Sequence, residues 1–353
     1  MSRPVKKKLL LVFLLAFCVR LVFWIFIINH PERAFDNDSR GYLQLAETLL
    51  ESHTFPSILR TPVYPFFIAS VYFVFGKLPQ AVLVFQYLLD SVTSVIVLLL
   101  FLRIFQDTKW ALLAGFLYAI NPFAVFYSNM ILTETLFTFI FAVASYWIFA
   151  FSCDKRKLVL SSLMLGIGAL CRPISLYGVF LFMPFLLFAG RTVWRDKLIS
   201  CLMFFLVYFM ILVPWCARNY QYYGQWTIST ADKYNIFVNF APEVLMGRDN
   251  IFSLVQVNTN DLVAPYQARM WNIARTKYGI DIANHSAVFD DPILAAALTG
   301  EGLDIIRNNS LIFASARLLS IGRVMTPFFP RFSILVGRDG TMLPLLSLSM
   351  PLQ

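Results

Sequence analysis

The sequence predicts an all-α, polytopic transmembrane bundle of about seven spans, followed by a polar extramembrane segment. Composition is the first reason. The 353 residues are 59% hydrophobic and 14% charged, with mean hydropathy +0.69. Globular domains carry roughly 25% charged residues. The second reason is a series of apolar runs near the length of one bilayer crossing. The third is that Lys and Arg gather in alternate connections between those runs, the mark of membrane topology. The net charge of +9 therefore reports orientation rather than nucleic-acid binding.

The first run, Leu9–Ile28, has 20 residues and follows Arg3, Lys6, Lys7 and Lys8. It is too long for a signal-peptide core and no small-residue cleavage site follows, so it reads as an uncleaved anchor with a cytoplasmic N-terminus. Further spans are expected at 80–102, 110–130, 133–151, 158–170, 174–189 and 198–216. Pro62–Gly76 is apolar but has only 15 residues and two prolines. If it does not cross, the cytoplasmic segments hold twelve Lys and Arg and the short outer turns hold one. If it crosses, three basic connections face outward, against the positive-inside rule. It is thus expected to lie in the outer interface.

This gives a membrane core at 1–216, with a first outer loop at 29–79. An extracytoplasmic segment is expected at 217–330, with helical periodicity over Gly300–Arg323, and a short apolar tail at 331–353. The five cysteines lie in or beside apolar runs without metal-type spacing, and His30, His53 and His285 form no ligand motif.

The topology puts a set of charges at one membrane level. Asp36 and Asp38 lie in 35-FDNDSRGY-42, and Arg60 precedes the interfacial segment. Glu134 opens the fourth span, Arg172 separates the fifth and sixth, and Arg218 follows the seventh. Such a set suits group transfer from a phosphate-containing donor. A carboxylate takes the proton of an incoming hydroxyl or amine. Arginines grip a phosphate by paired hydrogen bonds and stabilise it as it leaves. A second carboxylate can orient the first or share a divalent metal. Each residue also has a plainer reading. Asp36 is a turn former, Asp38 an N-cap for a helix over Gly41–Leu50, Glu134 a helix-start acid, and Arg60 and Arg172 snorkelling anchors. Arg20, inside the first span, needs a partner, which a lipid phosphate would supply.

The ordered segments FDNDSRGYLQLAETLL, RTPVYPFFIASVYFVFG, NPFAVFYSNMILTETLF, ALCRPISLY and PWCARNYQYYGQWTIST resemble the bacterial polyprenyl-phosphate-dependent glycosyltransferases of the GT-C fold, relatives of the protein O-mannosyltransferases and the lipid A aminoarabinose transferase. The resemblance covers residues 5–232. It implies Asp38, four residues before Tyr42, as the catalytic base or acceptor-orienting acid, and it matches Glu134 to the family's acidic position; Asp36 beside them is a secondary candidate for catalytic support. It implies Arg60 and Tyr64 near the donor phosphate, and it aligns Arg172 with the family's Arg-Pro turn. It also implies a lipid-linked sugar donor, an outer-face acceptor, and a bacterial inner membrane with a periplasmic site. Family members continue through further spans, so by that pattern the chain reads as C-terminally shortened. The competing classes are a lipid-linked-sugar transporter, which predicts ionisable groups at the bilayer midplane, and a non-catalytic assembly subunit or inactive remnant.

Overall fold

The computed structural model describes residues 3–27, 34–151, 154–188, 193–255, 259–280 and 287–325. All regular structure among them is helical. The apolar tail expected at 331–353 lies outside the described residues. The chain divides into two compact units, Met1–Ser229 and Thr230–Gln353.

The first unit contains α1 (Arg3–Ile27), α2 (Asn37–Ser52), α3 (Val63–Phe75), α4 (Pro79–Phe105), α5 (Thr108–Ala119), α6 (Pro122–Ser128), α7 (Thr133–Phe149), α8 (Lys155–Cys171), α9 (Gly178–Phe188) and α10 (Trp194–Tyr223). Among the described residues three helical stretches are long and apolar enough to cross a membrane: Lys6–Ile25, Pro79–Phe105 and Trp194–Tyr223. The bent pair α5 and α6 makes a fourth if taken as one span. The expected unbroken span at 110–130 is therefore corrected to two helices meeting at 47°. The cause is local. Pro122 brings no backbone N–H, and Asn121 turns its side chain onto the N–H groups of Phe123 and Ala124, starting a new helix there. The remaining expected spans are short helices. α7 and α8 have 17 residues each, and α9, with 11, follows a 3-10 turn at Pro173–Tyr177. Seventeen residues is about the minimum for a crossing.

Helix α3 has 13 residues, a length of about 20 Å, which cannot span a bilayer. One side is buried through Tyr64, Ile68 and Tyr72, while Phe66, Phe73 and Phe75 are exposed. That is the pattern of a helix seated on the core with an apolar face left for lipid.

Small residues and hydroxyls hold α8 in place. Ser161 donates to the carbonyl of Ala144 on α7 at 2.7 Å, and Ser162 donates to the carbonyl of Phe204 on α10. A Cβ on Gly166 would sit 2.9 Å from the Cβ of Ile211, so only glycine permits this approach to α10. Close backbones and interhelical hydroxyl bonds are the usual cohesion of helices in lipid, where apolar burial gives no net drive.

Arg20 is fully buried, and its partner is a residue of this chain rather than a lipid phosphate. Its Nε and Nη2 meet Asp90 Oδ2 at 2.8 and 2.6 Å, and its Nη1 donates to the carbonyls of Ala16 and Ala119, both at 2.8 Å. Tyr118 donates to the other Asp90 oxygen at 2.7 Å. Three helices, α1, α4 and α5, are tied at this one point. The sequence shows both charges inside apolar runs but not that their helices are neighbours.

The second unit contains α11 (Ala231–Tyr234), α12 (Ala241–Asp249), α13 (Thr259–Tyr278), α14 (Pro292–Asn308) and α15 (Ser310–Met325), with a π-helical turn at Asn235–Phe240. The helix expected over 300–323 is two helices broken at Asn309. Phe237, Trp271 and Phe289 pack as an aromatic core, and Glu243 pairs with Arg317. Lys277 and Tyr278 both donate to Glu301 and hold its carboxyl below the usual range.

Two outcomes follow. Removing Asp90 as the Leu variant strands a buried guanidinium and should cost about 3–5 kcal/mol, whereas Arg20→Met with Asp90→Leu should recover most of it; thermal unfolding in detergent measures both. For Glu301, a depressed folded pKa means stabilisation that is present above its unfolded value of about 4.3 and fades as pH falls through the lower folded one. Glu301→Gln should therefore melt below the parent at neutral pH, and the gap should close in strongly acidic buffer. A gap independent of pH contradicts the assignment.

Candidate active site

The helix carrying the first two acids starts earlier than the sequence indicates. α2 begins at Asn37, with Asp36 in the capping position: the backbone N–H of Asp36 donates to Ser39 Oγ at 2.9 Å, and that of Ser39 to the Asp36 carbonyl at 3.1 Å. The Ser39 hydroxyl thus satisfies the Asp36 N–H while the backbone closes the first turn, which marks the helix start. Asp38 is thus not the cap of a helix at Gly41. It lies within the first turn, its side chain half exposed.

Asp38 meets Arg60. The Arg60 Nη2–Asp38 Oδ1 distance is 2.6 Å, and Arg60 Nη1 also donates to the Tyr42 hydroxyl at 3.3 Å. The guanidinium carbon lies 4.8 Å from the centre of the Tyr42 ring. The four-residue spacing of Asp38 and Tyr42 on one helix face presents both groups to one arginine. Burial pushes the Tyr42 phenol above its ordinary value, Arg60 opposes the shift, and Asp38 and Glu134 add to it. The phenol therefore stays protonated at neutral pH.

Glu134 and Arg172 form a second pair. Arg172 Nη1 is 2.6 Å from Glu134 Oε1 and 3.3 Å from Thr133 Oγ1. Glu134 is in the first turn of α7, and Arg172 is the residue that ends α8.

The two pairs are stitched together through their chain neighbours. Thr61, next to Arg60, donates to the carbonyl of Cys171 at 3.0 Å. Cys171, next to Arg172, directs its thiol to the carbonyl of Thr133 at 3.9 Å. Thr133 is next to Glu134. The backbone N–H of Ile131 donates to the carbonyl of Ala34 at 2.9 Å, joining the segment before Glu134 to the one before Asp36. Asp38, Arg60, Glu134 and Arg172 therefore share one end of the helix bundle. The basic connections Arg103–Lys109 and Lys155–Lys157 lie at the opposite ends of α4 and α8.

Two expected phosphate ligands are placed otherwise. Tyr64 has no exposed surface, and its hydroxyl donates to Gln86 Oε1 at 2.6 Å, so it offers a ligand no donor. Arg218 donates to the carbonyls of Phe55 and Ser57, the latter at 3.0 Å. Its guanidinium lies about 5 Å over Trp215, Tyr222 and Tyr223, and it clamps the end of α10 to the 55–57 loop. Ser57 links it to the site, since the Ser57 hydroxyl accepts from the Arg60 backbone N–H at 3.2 Å. Gln86 and Thr61 were missed by sequence reading. A lone Gln in an apolar run and a Thr beside Arg60 carry no pattern that marks them. Among the described residues no three His, Cys, Asp or Glu side chains gather to hold a metal ion.

Residues 59–217 match the model of the dolichyl-phosphate-mannose-protein mannosyltransferase family. The resemblance carried by the motifs is thereby supported over just under half the chain. It supports a membrane glycosyltransferase of the GT-C type. No curated protein and no solved structure matches the chain. The matched segment contains Arg60, Tyr64, Glu134 and Arg172 and starts after Asp38, so Asp38 joins the site through its bond to Arg60.

If the second pair is a unit, breaking it from either side should be equivalent. Glu134→Gln, Arg172→Ala and the double variant should give a coupling on the order of 1 kcal/mol, since both groups are partly exposed. Thermal unfolding of the four proteins measures it, and strict additivity would remove the pair from the account.

Proposed function

We propose that the chain moves a sugar from a polyprenyl-phosphate donor to an acceptor lipid, glycan or protein at the outer face of the membrane, by a single inverting displacement. One observation carries this reading: two carboxylate–arginine pairs, Asp38–Arg60 and Glu134–Arg172, tied to each other at one end of an apolar bundle. The basic connections at the other end support an outward-facing, periplasmic site in a bacterial inner membrane.

The chemistry needs a base, an anion clamp and a way to bring them into play. Both arginines are paired with carboxylates of the protein. An exposed ion pair is worth about 1 kcal/mol or less. The donor phosphodiester has two free oxygens and one charge, as a carboxylate has, and gains a third free oxygen and further charge as the sugar leaves, so two arginines together grip it most strongly in the transition state. The donor phosphate thus displaces Asp38 from Arg60, and Arg172 reaches the same anion from beside Glu134. Asp38, released, accepts the proton of the acceptor hydroxyl or amine. The acceptor atom attacks the anomeric carbon, the carbon–oxygen bond to phosphate breaks, and the electron pair leaves on the phosphate held by the arginines. Glu134 orients the acceptor. Inversion is the simpler course, since it asks for one base alone, the role assigned to Asp38.

Arg20 and Asp90 are the charges a carrier would use at mid-membrane. They are fully buried and bonded to three helices, which supports a structural role for them.

The exchange of partners makes a distinctive prediction. Asp38→Asn should lower kcat by about 100-fold or more, while KM for the donor stays the same or falls, since a neutral amide competes less for Arg60. Arg60→Gln should raise donor KM as well. Transfer of a radiolabelled sugar in membranes with matched protein levels measures both, and unchanged transfer by the Asn variant contradicts the role of Asp38.

A further inference from the structure

Gln86 lies on α4, remote in sequence from both acids, and is fully buried. Its amide is in use on both sides. Oε1 accepts the Tyr64 hydroxyl at 2.6 Å, and Nε2 donates to the carbonyls of Ser128 and Met130 at 3.1 and 2.8 Å. A buried amide with such partners fixes all three at once, because leaving any of them unpaired is costly.

Each arm leads to one half of the site. Tyr64 packs edge-on against Tyr42, ring centres 5.1 Å apart at 87°. Tyr42 lies beneath Arg60, and Arg60 holds Asp38. The other arm grips the backbone just before Glu134. The neighbouring residue strengthens that grip: Tyr87 donates to Asn129 Oδ1 at 2.7 Å, and Asn129 donates onward to the Val125 carbonyl. Ser128–Met130 is the segment that delivers the start of α7, and with it Glu134.

We infer that Gln86 is a positioning residue for sugar transfer, setting the Asp38–Arg60 pair and the Glu134–Arg172 pair at one fixed separation. This rests on the proposed transferase reading. Gln86 does not touch the reacting atoms. It acts through Tyr64 and through the 128–130 backbone. Misplacement of a reacting group by about 1 Å costs on the order of 100-fold in rate, so the effect belongs in kcat. The guanidiniums remain available, so donor binding changes little.

The test compares wild type, Gln86→Leu, Tyr64→Phe, the double variant and Asp38→Asn in one transfer assay, normalised to folded protein by melting in detergent. Gln86→Leu should lose at least tenfold in kcat with donor KM within about threefold. Tyr64→Phe keeps the ring and cuts one arm, so it should lose less. The double variant should lose no more than Gln86→Leu alone, because Tyr64 acts through the amide. Gln86→Leu at wild-type kcat per folded molecule, or losses that multiply in the double variant, would overturn the inference. If Gln86→Leu does not fold, wild-type kcat in Tyr64→Phe overturns it. Full activity in Asp38→Asn sinks the catalytic reading instead, which keeps the two failures apart.

Discussion

A polar group inside a lipid-embedded bundle has no water to fall back on, so it must find a protein partner. That constraint organises this molecule. Arg20 and Asp90 are buried to the same extent and are satisfied only by each other, by two backbone carbonyls and by Tyr118. Gln86 obeys the same rule with three partners. Such contacts do not exchange, because every alternative leaves a charge or an amide unpaired in a low dielectric.

Exposure separates those locks from the site. The Asp38 side chain is 49% exposed and its Arg60 partner 19%, against 2% and 0% for Asp90 and Arg20. The chemical pairing is alike in the two places, with one distance of 2.6 Å in each. The consequences differ. A pair partly open to solvent is weak and can change partners when a second anion arrives. A pair sealed between three helices is a fastening. The reading of Asp38 as a base that is held until the donor arrives depends on this difference.

Much of this was legible in the sequence. Hydropathy gave the helical class, and the placement of Lys and Arg grouped Asp38, Arg60, Glu134 and Arg172 on one side, where their bonds now join them at one end of the bundle. The short Pro62–Gly76 run read correctly as a helix too short to cross, since two prolines and its length are local facts. Partnerships were not legible. Nothing local pairs Arg20 with Asp90, 70 residues apart, or gives Tyr64 to Gln86 rather than to a phosphate. Arg218 likewise looks like a free cation until the 55–57 loop and the rings of Phe55, Trp215, Tyr222 and Tyr223 are seen around it. The break at Asn121–Pro122 was readable, because a capping residue before proline is a helix-start signal, but the apolar run around it masked the signal.

The exchange of Arg60 between Asp38 and the donor phosphate is the claim on which the chemistry turns. An experimental structure of the full chain in lipid nanodiscs with a non-hydrolysable polyprenyl-phosphate sugar tests it most directly. The account predicts the phosphate against Arg60 and Arg172, with the 2.6 Å contact between Arg60 and Asp38 opened beyond hydrogen-bond range. A donor bound with its phosphate elsewhere, and that contact intact, would contradict it.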